Sequence, residues 1–98
     1  MLNVSIIIPT WNEEERIADC LTNTIRQTVT PHEILVVDNR STDNTCTIVE
    51  EFMAHHPEAP IRLLHQDEEQ GLIPTRNYGL DAATGDVLGR IDADCMLK

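Results

Sequence analysis

The sequence predicts an α/β domain, a three-layer α/β/α arrangement around a mostly parallel, four-stranded, Rossmann-like sheet. Three observations carry this expectation. Short apolar runs rich in β-branched residues recur along the chain, as in Ser5-Ile6-Ile7-Ile8 and Ile34-Leu35-Val36-Val37. Segments whose apolar residues return every three or four positions separate those runs. With one Trp, one Tyr and one Phe, the core must be built from Ile, Leu, Val and Ala, as in parallel sheets covered by helices.

In chain order, Asn3-Val4-Ser5-Ile6-Ile7-Ile8-Pro9 is a continuous run closed by proline, the pattern of a strand buried on both faces. Thr10-Trp11-Asn12-Glu13-Glu14-Glu15 then feeds a helix, with Asn12 suited to the N-cap and Glu15 to the return bond of a capping box. Ile17, Leu21 and Ile25 give that helix one apolar stripe to about Gln27. Glu33-Ile34-Leu35-Val36-Val37-Asp38 is a second buried strand. After it comes a cluster of turn and cap formers, Asn39 to Thr45, with Ser41 and Asp43 suited to capping the next helix. Ile48, Val49, Phe52 and Met53 form that helix's inner face, and it ends near His55-His56-Pro57. Ile61-Arg62-Leu63-Leu64-His65 is a third, shorter strand.

An acidic loop, Gln66 to Gly71, precedes a helix that Pro74 is suited to open and Gly85 to close. It carries Tyr78, Leu80, Ala82 and Ala83, and Gly79 in its interior signals close approach to a neighbouring element. Asp86 to Ile91 is the fourth strand. The order βαβαβαβ requires crossovers and hence a parallel sheet with helices on both faces. A ligand crevice is expected at the strands' carboxyl ends, where the strand order reverses.

Asp92 and Asp94 follow the fourth strand at that rim. Two carboxylates one residue apart, on a chain turning out of its strand, offer the oxygen donors that Mg²⁺ or Mn²⁺ takes, or hold such an ion on a diphosphate. The plainer alternative is a solvated acidic turn.

A net charge of −10, from 17 acids against 7 bases, excludes nucleic acid or an anionic membrane as a partner bound through a basic face. An anionic ligand would need a metal ion and backbone N–H groups to supply positive field. Cys20, Cys46 and Cys95 include no Cys-x-x-Cys pair, which suggests neither a disulfide framework nor a zinc knuckle, and reduced thiols fit a cytoplasmic protein. No run is long enough for a signal peptide or a membrane span. A longer parent could still sit peripherally at the cytoplasmic membrane. Neither a Gly-x-Gly-x-x-Gly nor a Gly-x-x-x-x-Gly-Lys occurs, which disfavours the dinucleotide and P-loop sites.

Four stretches together resemble the family 2 glycosyltransferases of GT-A fold, and they span nearly the whole chain. Val4-Ser5-Ile6-Ile7-Ile8-Pro9-Thr10-Trp11-Asn12-Glu13-Glu14 is similar to that family's opening. Val36-Val37-Asp38-Asn39-Arg40-Ser41-Thr42-Asp43 resembles its second-strand motif, Arg76-Asn77-Tyr78-Gly79 its Arg-Asn-x-Gly helix start, and Ile91-Asp92-Ala93-Asp94 its DxD motif. The resemblance implies that residues 1–98 are the nucleotide-sugar (donor) binding half of a glycosyltransferase, with the acceptor half absent. The donor would be a nucleoside-diphosphate sugar, a UDP-sugar being favoured, and the acceptor of the full-length protein a sugar or lipid.

The roles implied are these. Pro9, Thr10 and Glu13 would line the nucleotide pocket, Asp38 with Asn39 would meet the base or ribose, and Arg76 would lie near the base or diphosphate. Asp92 would face the ribose, and Asp94, with Asp92, would hold the divalent cation, Mn²⁺ or Mg²⁺, that bridges the diphosphate and stabilises the leaving group. Three departures stand out. Asn39 replaces a frequent second Asp, Arg40 replaces a frequent Gly, and Gly89-Arg90 replaces an apolar pair. No residue matches the family's catalytic base, which is expected beyond Lys98, so the chain alone is expected to be inactive. Two other readings compete: a non-catalytic module that forms a homodimer through its exposed sheet edge, and a sugar nucleotidyltransferase. The second normally needs a basic, Gly-rich loop where Trp11-Asn12-Glu13-Glu14-Glu15 is acidic.

Overall fold

A computed structural model describes residues 4–26, 32–85 and 87–90. Asp92 and Asp94, the expected cation pair, lie outside the described residues, as does Cys95. The elements are β1 (Val4–Thr10), α1 (Ile17–Ile25), β2 (Glu33–Asp38), α2 (Thr45–His55), β3 (Ile61–His65), α3 (Leu72–Ala82) and β4 (Val87–Arg90). They build the expected parallel sheet of four strands, in the order β3-β2-β1-β4. Successive crossovers run outward from β1 through β2 to β3, and the chain then returns to β1's other side. The order therefore reverses between β1 and β4, which is where open α/β sheets bind ligands at their carboxyl ends.

Alternation along the strands divides the core in two. Ile6, Ile8, Ile34, Val36 and Ile61 face α1 and α2, packing on Ile17, Cys20, Leu21, Val49 and Phe52. Ile7, Leu35 and Val37 face the other way and pack with Leu64, Ala82 and Ala83. Helix α3 covers this second face, and Gly79 is the point of contact. A Cβ built there would stand 2.7 Å from Ile7 Cγ2 and 3.0 Å from Val37 Cγ2, so the close approach expected from a mid-helix glycine is found.

Proline at position 9 sits inside β1, opposite Val37. Its missing N–H costs the sheet nothing. Thr10 O accepts from Asn39 N on the β2 side, so the backbone groups of Pro9 point toward β4, whose pairing ends at Ile7–Arg90.

At the amino-terminal end of the sheet, Glu33 collects the turn after α3. Its Oε2 accepts from Ser5 Oγ at 2.6 Å, Thr84 N at 2.5 Å and Thr84 Oγ1 at 3.0 Å, and Gly85 N donates to Ser5 Oγ at 2.7 Å. Arg62 lies 3.6 Å from Oε1. Burial alone pushes the Glu33 carboxyl up, but the bonds from Ser5 and Thr84 outweigh it and hold it below its usual range.

The helix ends depart from expectation for identifiable reasons. Helix α1 starts at Ile17 rather than after Asn12, because Asn12 takes a left-handed φ of 51° and its side chain bonds another loop. Helix α3 begins two residues before Pro74 and ends at Ala82, with Ala83 extended as its C-cap. Pro74 still falls in the first turn, where no N–H is needed. Gly85 is spent on the Ser5 bond instead of a cap. Tyr78 and Leu80 point outward, 41% and 37% exposed, because the inward face of α3 is Thr75, Gly79 and Ala82. The adjacent His55 and His56 each bond the carbonyl four residues back, Glu51 O and Phe52 O; His55 is exposed, whereas His56 is half-buried with its ring stacked on Phe52. Among the described residues no helix is long and apolar enough to cross a membrane.

Candidate functional site

Strands β1, β2 and β3 end side by side in Thr10, Asp38 and His65. Asp38 is the hub of this rim and is 2% exposed. Its Oδ1 accepts from Thr10 Oγ1 at 3.1 Å and Ser41 Oγ at 2.6 Å, and its Oδ2 from Ser41 N at 2.9 Å. The last bond closes the turn that carries the chain off β2. A carboxylate offers about four acceptor directions, and three are taken by strong donors. The thiol of Cys46, in the first turn of α2, lies beside it, with its Sγ within 4.8 Å of the carboxylate. Burial first, and then the charge and hydrogen bond of Asp38 with the charges of Glu50 and Asp43, push that thiol up to about 12.

Two loops lock together around this hub. Asn12 N donates to Ser41 Oγ, and Thr42 N donates back to Asn12 Oδ1, each at 2.8 Å. Glu13 N donates to Thr45 Oγ1, Glu14 N to Asp43 Oδ2, and Asn44 N to Glu14 Oε1. Asp43 also accepts from Thr45 N and the Thr45 hydroxyl. Burial pushes Asp43 up, and these bonds more than reverse it, so its carboxyl lies below the usual range. Asp43 thus serves the α2 start and the neighbouring loop at once, and Ser41 serves Asp38 rather than a helix.

Of the residues expected in the site, Thr10 and Asp38 meet directly. Pro9 is buried behind them. Glu13 turns along its own helix entry to pair with Arg16 at 3.5 Å. Asn39 is bonded to the protein itself. It is 3% exposed, its Nδ2 donates to Gln66 O and Glu69 O, and its Oδ1 accepts from Gly71 N and Gln70 Nε2. An amide has two donors and two acceptor lobes, and all four are committed to holding the 66–71 loop. Arg76, on the second turn of α3, is half-buried, and its Nε is buried without a hydrogen-bond partner.

Five contributors carried no signal in their own neighbourhoods. Gln66 is buried and accepts from Glu68 N and Glu69 N while donating to Glu69 O and Thr75 Oγ1. Thr75 ties that loop to α3 through Gly71 O at 2.6 Å. Cys46 and His65 are far apart in sequence, yet with Asp38 their ligating atoms lie within 4.8 Å of one another. Trp11, next to Thr10, is 54% exposed. Ser41, expected as a helix cap, instead bonds the carboxylate three residues back through both its N–H and its hydroxyl.

The chain matches the model of "Glycosyl transferase family 2" over residues 5–98. It is 39% identical over 94 residues to the glycosyltransferase AglE of Haloferax volcanii, covering 94% of this chain and 30% of that protein. It is 33% identical over 95 residues to chondroitin synthase of Escherichia coli, covering 97% of this chain and 13% of that protein. In structure it is similar to the mannosyltransferase PcManGT from Pyrobaculum calidifontis in complex with GDP-Man and Mn²⁺, with a TM-score of 0.88 and 34% identity over 95% of this chain and 28% of that one. S. aureus TarS 1-349 in complex with UDP-GlcNAc gives a TM-score of 0.82 and 29% identity over 95% of this chain and 27% of the other. The chain thus spans about 30% of the length of AglE and less of the others.

Proposed function

Because the chain belongs to glycosyl transferase family 2 and carries the GT-A α/β fold, we propose that it is the donor-binding part of an enzyme that moves a sugar from a nucleoside diphosphate to an acceptor hydroxyl. The observation that carries the reading is Asp38: a buried carboxylate fixed by Thr10 and Ser41 at the sheet's carboxyl rim. The one acceptor direction left by those three donors suits a single ring N–H. That favours the imide of uracil over the paired donors of guanine, and so a UDP-sugar. Arg76 supports the reading, since a buried guanidinium N–H without a partner costs about 1–3 kcal/mol and an anionic ligand would satisfy it.

The expected cation fits the donor chemistry. Strand β4 pairs with β1 up to Arg90; Asp92 and Asp94 come two and four residues later in the sequence, and a pair of carboxylates suits Mn²⁺ or Mg²⁺. When bound, such an ion offsets the charge that develops on the departing diphosphate. This chain's own residues do the rest: Thr10 and Ser41 hold the Asp38 carboxylate, and Asn39 and Gln66 hold the loop leading to Arg76.

Trp11 is the sole tryptophan, so its fluorescence reports ligand at this rim. Titration with UDP is expected to change it, more steeply with Mn²⁺. Asp38→Ala removes a charged hydrogen bond of about 1.5–3 kcal/mol and is expected to weaken binding about 10- to 100-fold. Asp94→Ala is expected to abolish the effect of Mn²⁺. Equal UDP affinity in the parent and Asp38→Ala would refute the reading.

A further inference from the structure

We propose that Asp38, Cys46 and His65 form a binding site for Zn²⁺, and that zinc there excludes the nucleotide base. The three side chains come from three elements: the end of β2, the first turn of α2 and the end of β3. Their ligating atoms already lie within 4.8 Å of one another. Zinc bonds of about 2.0–2.3 Å at tetrahedral angles place ligand atoms about 3.3–3.8 Å apart, so the three must close by about 1 Å. His65 is exposed and on an edge strand, so it can supply that movement by a rotamer change.

The donor set decides the metal. One carboxylate oxygen, one sulfur and one imidazole nitrogen match borderline-soft Zn²⁺ with an open fourth position, and they do not match Mg²⁺ or Mn²⁺, which take oxygen. The ion is therefore chemically separate from the one expected at the two carboxylates after β4. Outer contacts are in place as well. Thr10 and Ser41 fix the Asp38 carboxylate, the kind of support that orients metal ligands. The Cys46 sulfur sits in the first turn of an 11-residue helix, and because burial and the neighbouring carboxylates keep it a thiol, the ion must displace its proton. On binding, the Cys46 S–H bond breaks, a sulfur–zinc bond forms, and the proton leaves to solvent. No oxidation is involved.

The second half of the proposal rests on the donor-site reading above. Zinc takes the Asp38 acceptor direction that the base N–H would use, so the two ligands are antagonists. The test is titration of the 98-residue chain with Co²⁺ as a spectroscopic stand-in. A thiolate-to-cobalt charge-transfer band and tetrahedral visible bands are expected at one ion per chain, both removed by Zn²⁺. Cys46→Ser is expected to abolish the charge-transfer band, and His65→Gln to weaken cobalt at least tenfold. Cys20→Ser and Cys95→Ser are expected to leave the band unchanged. Absence of the band in the parent, or a band lost in Cys95→Ser instead, overturns the ion site whether or not UDP binds. UDP added without other metal is expected to displace the cobalt. If the band persists under saturating UDP, the antagonism falls and the assignment of Asp38 to the base falls with it, while the ion site stands.

Discussion

Replacing Gly79 with Ala tests whether α3 is seated on the sheet as closely as the fold requires. The new methyl would stand 2.7 Å from Ile7 Cγ2 and 3.0 Å from Val37 Cγ2, against an optimal carbon–carbon separation of about 3.5–4.0 Å. Neither neighbour can swing away. Both are fully buried and β-branched, on the two central strands, and their methyls are attached at Cβ with χ1 held by packing. The helix must therefore lift by about 1 Å, an overpacking cost in the upper part of about 1–3 kcal/mol. Ala returns about 1 kcal/mol of helix propensity, which leaves a net loss of about 1–2 kcal/mol. With a urea m-value of about 1 kcal/mol/M for a small domain, the unfolding midpoint drops by about 1–2 M. A midpoint higher than the parent's would show that α3 is loosely seated, and would refute the reasoning that makes glycine necessary at this position.

Glu33 and Asp43 both have carboxyl groups held below their usual range in the fold. Their contribution to stability is therefore complete above the unfolded-state values near 4.5 and 3.8 and is lost as pH falls through the lower folded values. Urea midpoints measured from pH 7 down to pH 3 are expected to fall on the acid side, and Glu33→Gln to flatten that limb while lowering the neutral-pH midpoint; an unchanged slope in Glu33→Gln would remove Glu33 from the account. Asn39→Ala strands Gly71 N and the Gln66 and Glu69 carbonyls, so a loss of about 2–3 kcal/mol is expected by chemical denaturation. Arg40 holds a φ of 64°, and Arg40→Gly is expected to gain up to about 1 kcal/mol, read as a higher thermal midpoint.

The strands were legible because their signal is local. A run such as Ile34-Leu35-Val36-Val37 leaves little choice but a doubly covered strand, and the βαβ handedness rule then leaves few sheets to choose from. Helix ends were less legible because their polar residues have partners elsewhere in the chain. Asn12 is an ideal cap by its own neighbourhood, yet its side chain accepts from Thr42 N, 30 residues on. Gly85 would close a helix, yet its N–H goes to Ser5. Tyr78 and Leu80 mislead in the opposite way: their hydrophobicity suggests an inner face that the close seating of Gly79 gives to small side chains. At the rim, the end of β2 at Asp38 is legible because an apolar run stops there at an acid. The bonds of Asn39 to the 66–71 loop are not legible because nothing near it in sequence announces that loop, and the nearness of Cys46 to His65 exists only once β2 and β3 pair.

The two ends of the sheet are built on different terms. At the amino-terminal end Ser5, Glu33, Thr84 and Gly85 pair among themselves, and no non-glycine residue there has a positive φ among the described residues. At the carboxyl end lie both of the described non-glycine residues with positive φ, Asn12 and Arg40, and Arg76 Nε, the buried side-chain atom without a partner. Each is a local cost, and such costs gather where a backbone must be shaped for something other than its own stability. The loop-to-loop bonds of Asn12 with Ser41 and of Asn39 with Gly71 hold those conformations in place. A ligand that offers Arg76 an acceptor would therefore find the rim already shaped, and its binding energy would go into affinity rather than into ordering the loops.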